Sequence, residues 1–265
     1  MAKVTGIGGF FFKCHDPEMI KQWYARHLGA HPFGMQYPGF LWRENAEKER
    51  LGFTSWGAFS SDTQYFQPSQ KPFMINFRVD DLAGLLASLR EAGCLVDDKT
   101  EDYPYGKFGW VMDPEGNRLE LWEPPSDLKE NNSFATADEP VHVTGLGGLF
   151  FKAQDPDALK AWYCEKLGIV PDKHGFMCFH VRDAHDPDLL AYTVLSFFKD
   201  DTRYFDPSNK PYMPNYRVKD LDALLVSLAE EGVALVGEPQ NDEYGKFGWV
   251  LDPEGVKVEL WQPPR

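Results

Sequence analysis

Apolar and polar positions alternate in two short runs on either side of the sequence Asp113-Pro114-Glu115-Gly116. A period of two is typical of β-strands, because successive side chains point to opposite faces of a sheet. Proline presets a turn-forming φ angle and glycine tolerates a positive φ, so the tetrapeptide between the runs is typical of a tight turn. The pattern therefore predicts a β-hairpin over residues 105–122.

A turn centred on Glu115 determines which residues face each other in this hairpin. Glu120 should lie opposite Trp110, and Trp122 opposite Phe108. One side of the hairpin then carries Glu120 among three aromatic rings, and the other carries the aliphatic residues Val111, Leu119 and Leu121, which suit packing beneath a helix. A register shift of one residue would reverse this assignment on one strand.

A carboxylate among large rings permits two interpretations. It is either a half-exposed glutamate on a covered sheet or the floor of a ligand pocket, which is typically apolar with a few placed polar groups. The hairpin occurs a second time in the chain, with Phe247, Trp249, Glu259 and Trp261 at the matching positions. The second copy favours the pocket.

The whole chain repeats in the same way. Val4–Gly29 aligns with Val143–Gly168, and the same spacing relates the two hairpins. Self-similarity at a constant spacing predicts two homologous domains. Their expected limits are residues 1–125 and 142–265, joined by a polar linker over 126–141.

A strand followed by a helix occurs twice in each half. Asp16-Pro17 provides a helix N-cap and an N1 proline, and Gly29 ends that helix. The pattern restarts with the strand Phe73–Val79 and a second cap at Asp81. Each half is thus predicted to contain two consecutive β-α-β-β-β modules. The chain is therefore predicted to be an α+β protein of four such modules. One helix covers one face of each small sheet, so paired modules should curl their other faces around a common cleft.

Composition narrows the possible partners of the 265-residue chain. A net charge of −14 argues against nucleic acid, since phosphate binding needs basic patches, and is compatible with a cationic ligand. No apolar run approaches the ~20 residues that a bilayer requires. The four cysteines have no counterparts in the other half and are expected to be free thiols in a reducing compartment. The expected partner is a small molecule, and the expected location is the cytoplasm.

Three groups of residues resemble the vicinal oxygen chelate superfamily, which includes glyoxalase I, extradiol dioxygenases, and fosfomycin- and bleomycin-resistance proteins. They are Asp16-Pro17 with Trp23-Tyr24 and Leu28-Gly29, then Phe77 to Leu82, then Asp113 to Trp122. Both halves carry the pattern. The resemblance implies two tandem glyoxalase-like domains. It also implies that one chain forms the domain pair that single-domain relatives form as dimers, giving a monomer that is an internal pseudo-dimer.

The resemblance also implies where a metal would bind. Carried onto this chain, the ligand places fall at Gly9, Thr54, Met74 and Glu120, and at Gly148, Thr193, Met213 and Glu259. Only the glutamates are competent ligands, because Zn²⁺ and Fe²⁺ sites need three or four N, O or S donors, usually including histidine. No histidine recurs at matching places in the two halves. We therefore expect a protein without a metal or other cofactor.

Glu120 and Glu259 are the predicted catalytic residues. Burial raises the pKa of a carboxyl group, which poises it for proton transfer near neutral pH. The residues expected to bind the substrate are Phe11, Asn76, Tyr105, Phe108, Trp110 and Trp122 in the first half, and Phe150, Asn215, Tyr244, Phe247, Trp249 and Trp261 in the second.

Two classes of function remain open. The first is a metal-independent lyase or isomerase that acts on an aromatic or carbonyl-bearing metabolite. The second is a non-catalytic protein that sequesters a drug or metabolite, as bleomycin-resistance proteins do. A metal-dependent glyoxalase I or dioxygenase is less favoured, because the required ligands are missing.

Overall fold

The computed structural model describes residues 2–29, 38–125, 143–184 and 186–264. The first half contains, in chain order, β1 (Val4–Cys14), α1 (Pro17–Leu28), β2 (Gly39–Glu44), β3 (Leu51–Ser60), β4 (Phe73–Val79), α2 (Leu82–Glu91), β5 (Leu95–Tyr103), β6 (Gly106–Met112) and β7 (Arg118–Glu123). The second half contains β8 (Val143–Ala153), α3 (Pro156–Leu167), β9 (Met177–Asp183), β10 (Leu190–Lys199), β11 (Tyr212–Val218), α4 (Leu221–Glu230), β12 (Gln240–Asp242), β13 (Gly245–Leu251) and β14 (Lys257–Gln262). The predicted linker at 126–141 lies outside the described residues, and the domain limits stay a prediction.

The strands form one 14-stranded sheet in the order β12-β13-β14-β11-β8-β10-β9-β2-β3-β1-β4-β7-β6-β5. The two halves of the chain meet where β2 pairs antiparallel with β9. Within each half, two modules meet at an antiparallel pair, β1 with β4 and β8 with β11. The predicted α+β fold is confirmed. In the first module of each half, the described residues form two strands rather than three after the helix.

The helices begin and end where the local sequence predicts. The Asp16 side chain accepts a hydrogen bond from the backbone N–H of Met19, and Asp81 accepts one from Gly84. Gly29 adopts the left-handed conformation, with a φ of 70°, directly after α1. A residue with a Cβ is strained in that conformation, so glycine suits this helix end.

The hairpin has the predicted register. Trp110 lies opposite Glu120 and Phe108 opposite Trp122, and the second hairpin repeats this pairing. The aliphatic side packs into a core with the leucines of α2: Val111, Leu119, Leu121, Leu82, Leu85, Leu86 and Leu89. The aromatic side therefore faces away from the helix.

The helix-bearing faces of the two halves pack against each other. Phe10 lies with its ring centroid 5.4 Å from that of Tyr212 in the other half. Helix α1 reaches across this interface, where Tyr24 Oη donates a 3.1 Å hydrogen bond to Asp252. Helix α3 makes the matching contact, a 2.9 Å bond from Tyr163 to Asp113 of the first half.

Each hairpin turn also holds a helix of the other half. The Glu115 carboxylate accepts hydrogen bonds from the backbone N–H groups of Gln154 and Asp155, at 2.9 and 2.8 Å, just before α3. A helix N-terminus leaves such N–H groups unpaired and favours negative charge. Glu254 does the same for the N-terminus of α1. The turns thus join the halves, and the opposite face of the sheet is left to form a cleft in each half.

Candidate functional site

Glu120 lies at the centre of a buried hydrogen-bond network in the first half. Its Oε1 accepts a 2.7 Å bond from Asn76 Nδ2. Its Oε2 accepts a bond from the Tyr65 hydroxyl and a 3.0 Å bond from Trp110 Nε1. The side chain is only 2% exposed. Three neutral donors therefore replace the water that would otherwise solvate this carboxylate.

The network changes the proton affinities of its members. Burial raises the pKa of Glu120, and the hydrogen bonds from Tyr65, Asn76 and Trp110 oppose that rise. Burial, together with the nearby Glu120 charge, raises the pKa of Tyr65 far above its usual value. The Tyr65 phenol therefore stays protonated and donates a hydrogen bond to Glu120.

Strand pairing positions most of this network. Asn76 is the partner of Glu120 in the parallel pair β4–β7, and Trp110 is its partner across the hairpin. Tyr65 comes from the loop between β3 and β4. Arg118 holds that loop with a 2.7 Å bond from Nη1 to the Tyr65 carbonyl, while its guanidinium lies 4.9 Å from the Trp110 ring centroid.

Tyr65 is not among the residues predicted from the sequence. It lies in a loop and contacts a residue far along the chain, so strand alternation gives no indication of its direction. One signal was available, because Tyr65-Phe66 recurs as Tyr204-Phe205 in the second half. Binding and catalytic residues often lie on loops held by a rigid scaffold, so a repeated aromatic pair in a loop is a candidate for the site.

A cavity of about 380 Å³ opens beside Glu120. We call its buried lining residues the floor: Gly8, Phe11, Phe53, Asn76, Glu120 and Trp122. The less buried lining residues are Ser55, Phe59, Tyr65, Glu101, Tyr103, Tyr105 and Phe108. The size suits a small molecule, since ligand pockets are typically ~300–1,000 Å³.

The walls of the cavity are flat. Tyr65 and Phe59 stack with ring centroids 5.6 Å apart and planes 3° from parallel. Tyr103 and Tyr105 stack at 5.0 Å and 11° near the opening. Trp122 is fixed in the floor because its Nε1 donates a 2.9 Å bond to the Tyr105 carbonyl. Such walls favour a flat, aromatic ligand.

The structure brings most of the predicted first-half residues to this cavity. Those that line it are Phe11, Asn76, Tyr105, Phe108, Glu120 and Trp122. Trp110 instead lies behind Glu120, buried in a cluster with Phe11, Phe66 and Met74. Its contact with the cavity is therefore indirect, through the bond to Glu120. The catalytic and substrate-binding roles of these residues stay predictions.

The second half repeats the network around Glu259. This carboxylate accepts bonds from the Tyr204 hydroxyl, from Asn215 Nδ2 at 2.6 Å and from Trp249 Nε1 at 2.7 Å. The remaining predicted residues lie nearby. Phe150 and Phe247 pack against the cluster that contains Trp249, and Trp261 Nε1 donates to the Tyr244 carbonyl at 2.8 Å.

The walls of the two clefts differ. Phe53 is replaced in the second half by Tyr192, whose ring lies 5.0 Å from that of Trp261. Glu101 and Tyr103 are replaced by Gln240 and Asp242. The glutamate networks are thus alike, whereas the surfaces offered to a ligand are not.

Two of the places implied as metal ligands face away from the cleft. Thr54 Oγ1 donates a 2.9 Å bond to the Ile7 carbonyl, and Thr193 donates a 2.7 Å bond to the Leu146 carbonyl. Ser55, the next residue of the strand, lines the cavity instead. The expectation that Thr54 and Thr193 occupy ligand places is therefore wrong.

The residues around Glu120 do not fit a metal ion. Its neighbours direct N–H and O–H hydrogens at the carboxylate, whereas a metal needs lone pairs. Met74 is fully buried among rings, and the glycines of β1 have no side chain to contribute. Within the described ranges, no group of three or more His, Cys, Asp or Glu side chains is placed to hold a metal ion.

Comparison with known proteins supports the fold. Residues 9–122 match the family model for "Glyoxalase-like domain". The chain is similar to the Mn(II)-bound glyoxalase from Novosphingobium aromaticivorans, at 16% identity and a TM-score of 0.61, over 99% of this chain and 83% of that one. It is similar to a catechol 2,3-dioxygenase at 15% identity and a TM-score of 0.62, over 100% and 91%. No curated protein matches the sequence significantly.

A further structural relative is 2,2',3-trihydroxybiphenyl 1,2-dioxygenase from Sphingomonas wittichii strain RW1, at 16% identity and a TM-score of 0.57, over 98% of this chain and 90% of that one. These likenesses define the fold class, which hosts several reactions. Residues 9–122 are thus similar to a glyoxalase-like domain. The chain shares its fold with a glyoxalase and with two dioxygenases. Among the described residues, no helix is long and apolar enough to cross a bilayer.

Proposed function

We propose that the first cleft binds a flat, aromatic small molecule without a metal ion, and that the chain acts as a non-catalytic binding protein. The observation that carries this proposal is the network around Glu120, in which three side chains hold both carboxylate oxygens. The floor is therefore organised by the protein itself. Stacked rings above it supply the apolar surface that a ligand needs.

The distribution of donors favours binding over reaction at a carbonyl. A lyase or isomerase of that kind needs hydrogen-bond donors aimed at the oxygen that becomes negative. Asn76 and Tyr65 direct their donors at Glu120, and Trp122 directs its N–H at a backbone carbonyl. Of these three side chains, only Asn76 keeps a further N–H, the second one of Nδ2, for an oxyanion.

An acid–base enzyme is the second candidate, because burial raises the pKa of Glu120. Its Oε1 accepts one bond and Oε2 accepts two, so Oε1 retains capacity to take a proton from a ligand. Glu120 would then serve as the general acid or base of a metal-independent lyase or isomerase. Glu259 is the corresponding group in the second half.

A thermal-shift screen of aromatic metabolites and cationic aromatic antibiotics tests the proposal. At a concentration of ~100 Kd, a ligand adds ~2.7 kcal/mol and should raise the melting temperature by roughly 5–10 °C. The shift should disappear in Phe108→Ala, which opens the first cleft, and persist in the matched variant Phe247→Ala. The absence of any hit, or equal loss in both variants, would contradict the proposal.

Recovery of the hit compound separates the two candidates. A binding protein returns the compound unchanged after prolonged incubation, and Glu120→Gln alters only the affinity. An enzyme converts the compound, and Glu120→Gln abolishes conversion with affinity changed only a few-fold, whereas Glu259→Gln retains conversion in the first cleft. Conversion of this kind would replace the binding proposal with the acid–base one.

A further inference from the structure

The hydrogens around Glu120 have a fixed direction, which determines what the cavity offers to a ligand. Tyr65 has one hydroxyl hydrogen and donates it to Glu120. Asn76 directs Nδ2 at the same carboxylate, so its Oδ1 points elsewhere. A hydroxyl oxygen that has committed its hydrogen and an amide oxygen can only accept further bonds. The oxygens of Tyr65 and Asn76 therefore remain as acceptors, and Asn76 Nδ2 carries a second hydrogen besides the one directed at Glu120.

One of these acceptors lacks a partner within the protein. Asn76 Oδ1 is buried without a hydrogen bond, in a residue that is 3% exposed. An unpaired buried acceptor costs ~1–3 kcal/mol, and such groups are uncommon in native structures. Gly8 lies directly beside this oxygen, and a Cβ there would overlap it. Because Gly8 has no side chain, Asn76 Oδ1 can occupy this position in the floor.

The charges of the lining residues also favour a cationic ligand. The cavity is lined by two carboxylates, Glu120 in the floor and Glu101 near the opening, and the lining includes no lysine or arginine among the described residues. Lys99 forms an ion pair with Glu101 from outside the lining, and Arg118 lies against Trp110. The surface that meets a ligand is thus acidic and aromatic. Aromatic faces attract cations by ~0.5–2 kcal/mol.

We propose that the first cleft selects an aromatic molecule that carries an ammonium group with N–H hydrogens. The ammonium N–H groups bind Tyr65 Oη, and the positive charge faces Glu120 and Glu101. An aromatic carboxylate is excluded, since it brings a further acceptor to Tyr65 Oη and negative charge to Glu120 and Glu101. This inference rests on the proposed function, because it requires the cleft to bind an aromatic small molecule.

Three probes of similar shape test it: phenethylammonium, phenethyltrimethylammonium and 3-phenylpropionate. The first has the charge and the N–H donors, the second has the charge alone, and the third has the opposite charge. In ligand-observed NMR titrations, phenethylammonium should bind at least ~10-fold more tightly than the trimethyl compound, which corresponds to ~1.4 kcal/mol. 3-Phenylpropionate should show no saturable binding.

Two matched variants locate the contact. Tyr65→Phe and Tyr204→Phe each remove one hydroxyl donor from a buried glutamate, so their structural costs should be similar. Tyr65→Phe should weaken phenethylammonium binding about 10-fold or more, the cost of one hydrogen bond to a charged group. Tyr204→Phe should leave it nearly unchanged.

The outcomes separate this inference from the proposed function. Equal or tighter binding of 3-phenylpropionate, or equal binding of the two cations, overturns the ligand class while the cleft remains a binding site. Equal weakening by Tyr204→Phe overturns the placement in the first cleft. If no probe binds while the thermal-shift screen yields an aromatic ligand, the ammonium selectivity is wrong and the proposed function stands.

Discussion

Replacing Gly8 with alanine should disrupt the Glu120 network from beneath. A Cβ at this position would overlap Asn76 Oδ1 and lie 2.9 Å from a ring carbon of Trp122. Asn76 would have to move and would lose its 2.7 Å bond to Glu120. A hydrogen bond to a charged group contributes ~1.5–3 kcal/mol. The expected loss for Gly8→Ala is about 2–3 kcal/mol, or roughly 4–12 °C in melting temperature for a chain of this size.

Gly6→Ala is the control. Gly6 lies on the same strand as Gly8, and a Cβ at Gly6 would meet no atom within 4 Å. Its effect on the melting temperature should be small, within ~0.5 kcal/mol. Gly147→Ala should behave like Gly8→Ala, since its Cβ would overlap Asn215 Oδ1 and lie 3.0 Å from Trp261. Calorimetric scans of the three variants give the melting temperatures that test this prediction. Equal stability of Gly8→Ala and Gly6→Ala would refute the reasoning.

Two further predictions concern the contacts between the halves. Glu115→Ala removes the acceptor of two backbone N–H groups before α3. The free energy of unfolding, measured by urea titration, should fall by about 1–2 kcal/mol. Glu47→Ala, at an exposed turn, is the control and should leave it almost unchanged. Burial raises the pKa of Asp252 from 3.8 to about 6, so the folded state holds this proton more tightly than the unfolded one. Stability should therefore fall by roughly 2–3 kcal/mol as pH rises from about 4 to 6. Asp252→Asn should flatten that part of the pH profile, and an unchanged profile would contradict the assignment.

The hairpin register and the division of its faces follow from local information. The turn sequence around Glu115 sets the centre, and the period of two then places Glu120 opposite Trp110 without reference to the rest of the fold. The Asp16 cap and the Gly29 helix end are equally local. Such features can be predicted because the residues that determine them are neighbours in the chain.

The errors and omissions arise where the chain makes irregular or distant contacts. Strand β1 contains a register shift between Ile7 and Gly9, so Gly8 rather than Gly9 lines the cavity. Thr54 was placed on the wrong face because the strand pairing, not the motif, determines which residue faces the cleft. The role of Glu115 in the other half, like that of Tyr65 at Glu120, depends on tertiary packing that alternation does not encode.

Metal content measures the central claim most directly, since the account rests on a glutamate held by three neutral donors. The protein should be purified from medium containing Mn²⁺, Fe²⁺ and Zn²⁺ and analysed by elemental mass spectrometry, with Glu120→Gln and Glu259→Gln beside it. We expect no stoichiometric transition metal in any of the three. About one tightly held ion per half in the unaltered protein, lost from the corresponding half in each variant, would contradict the account.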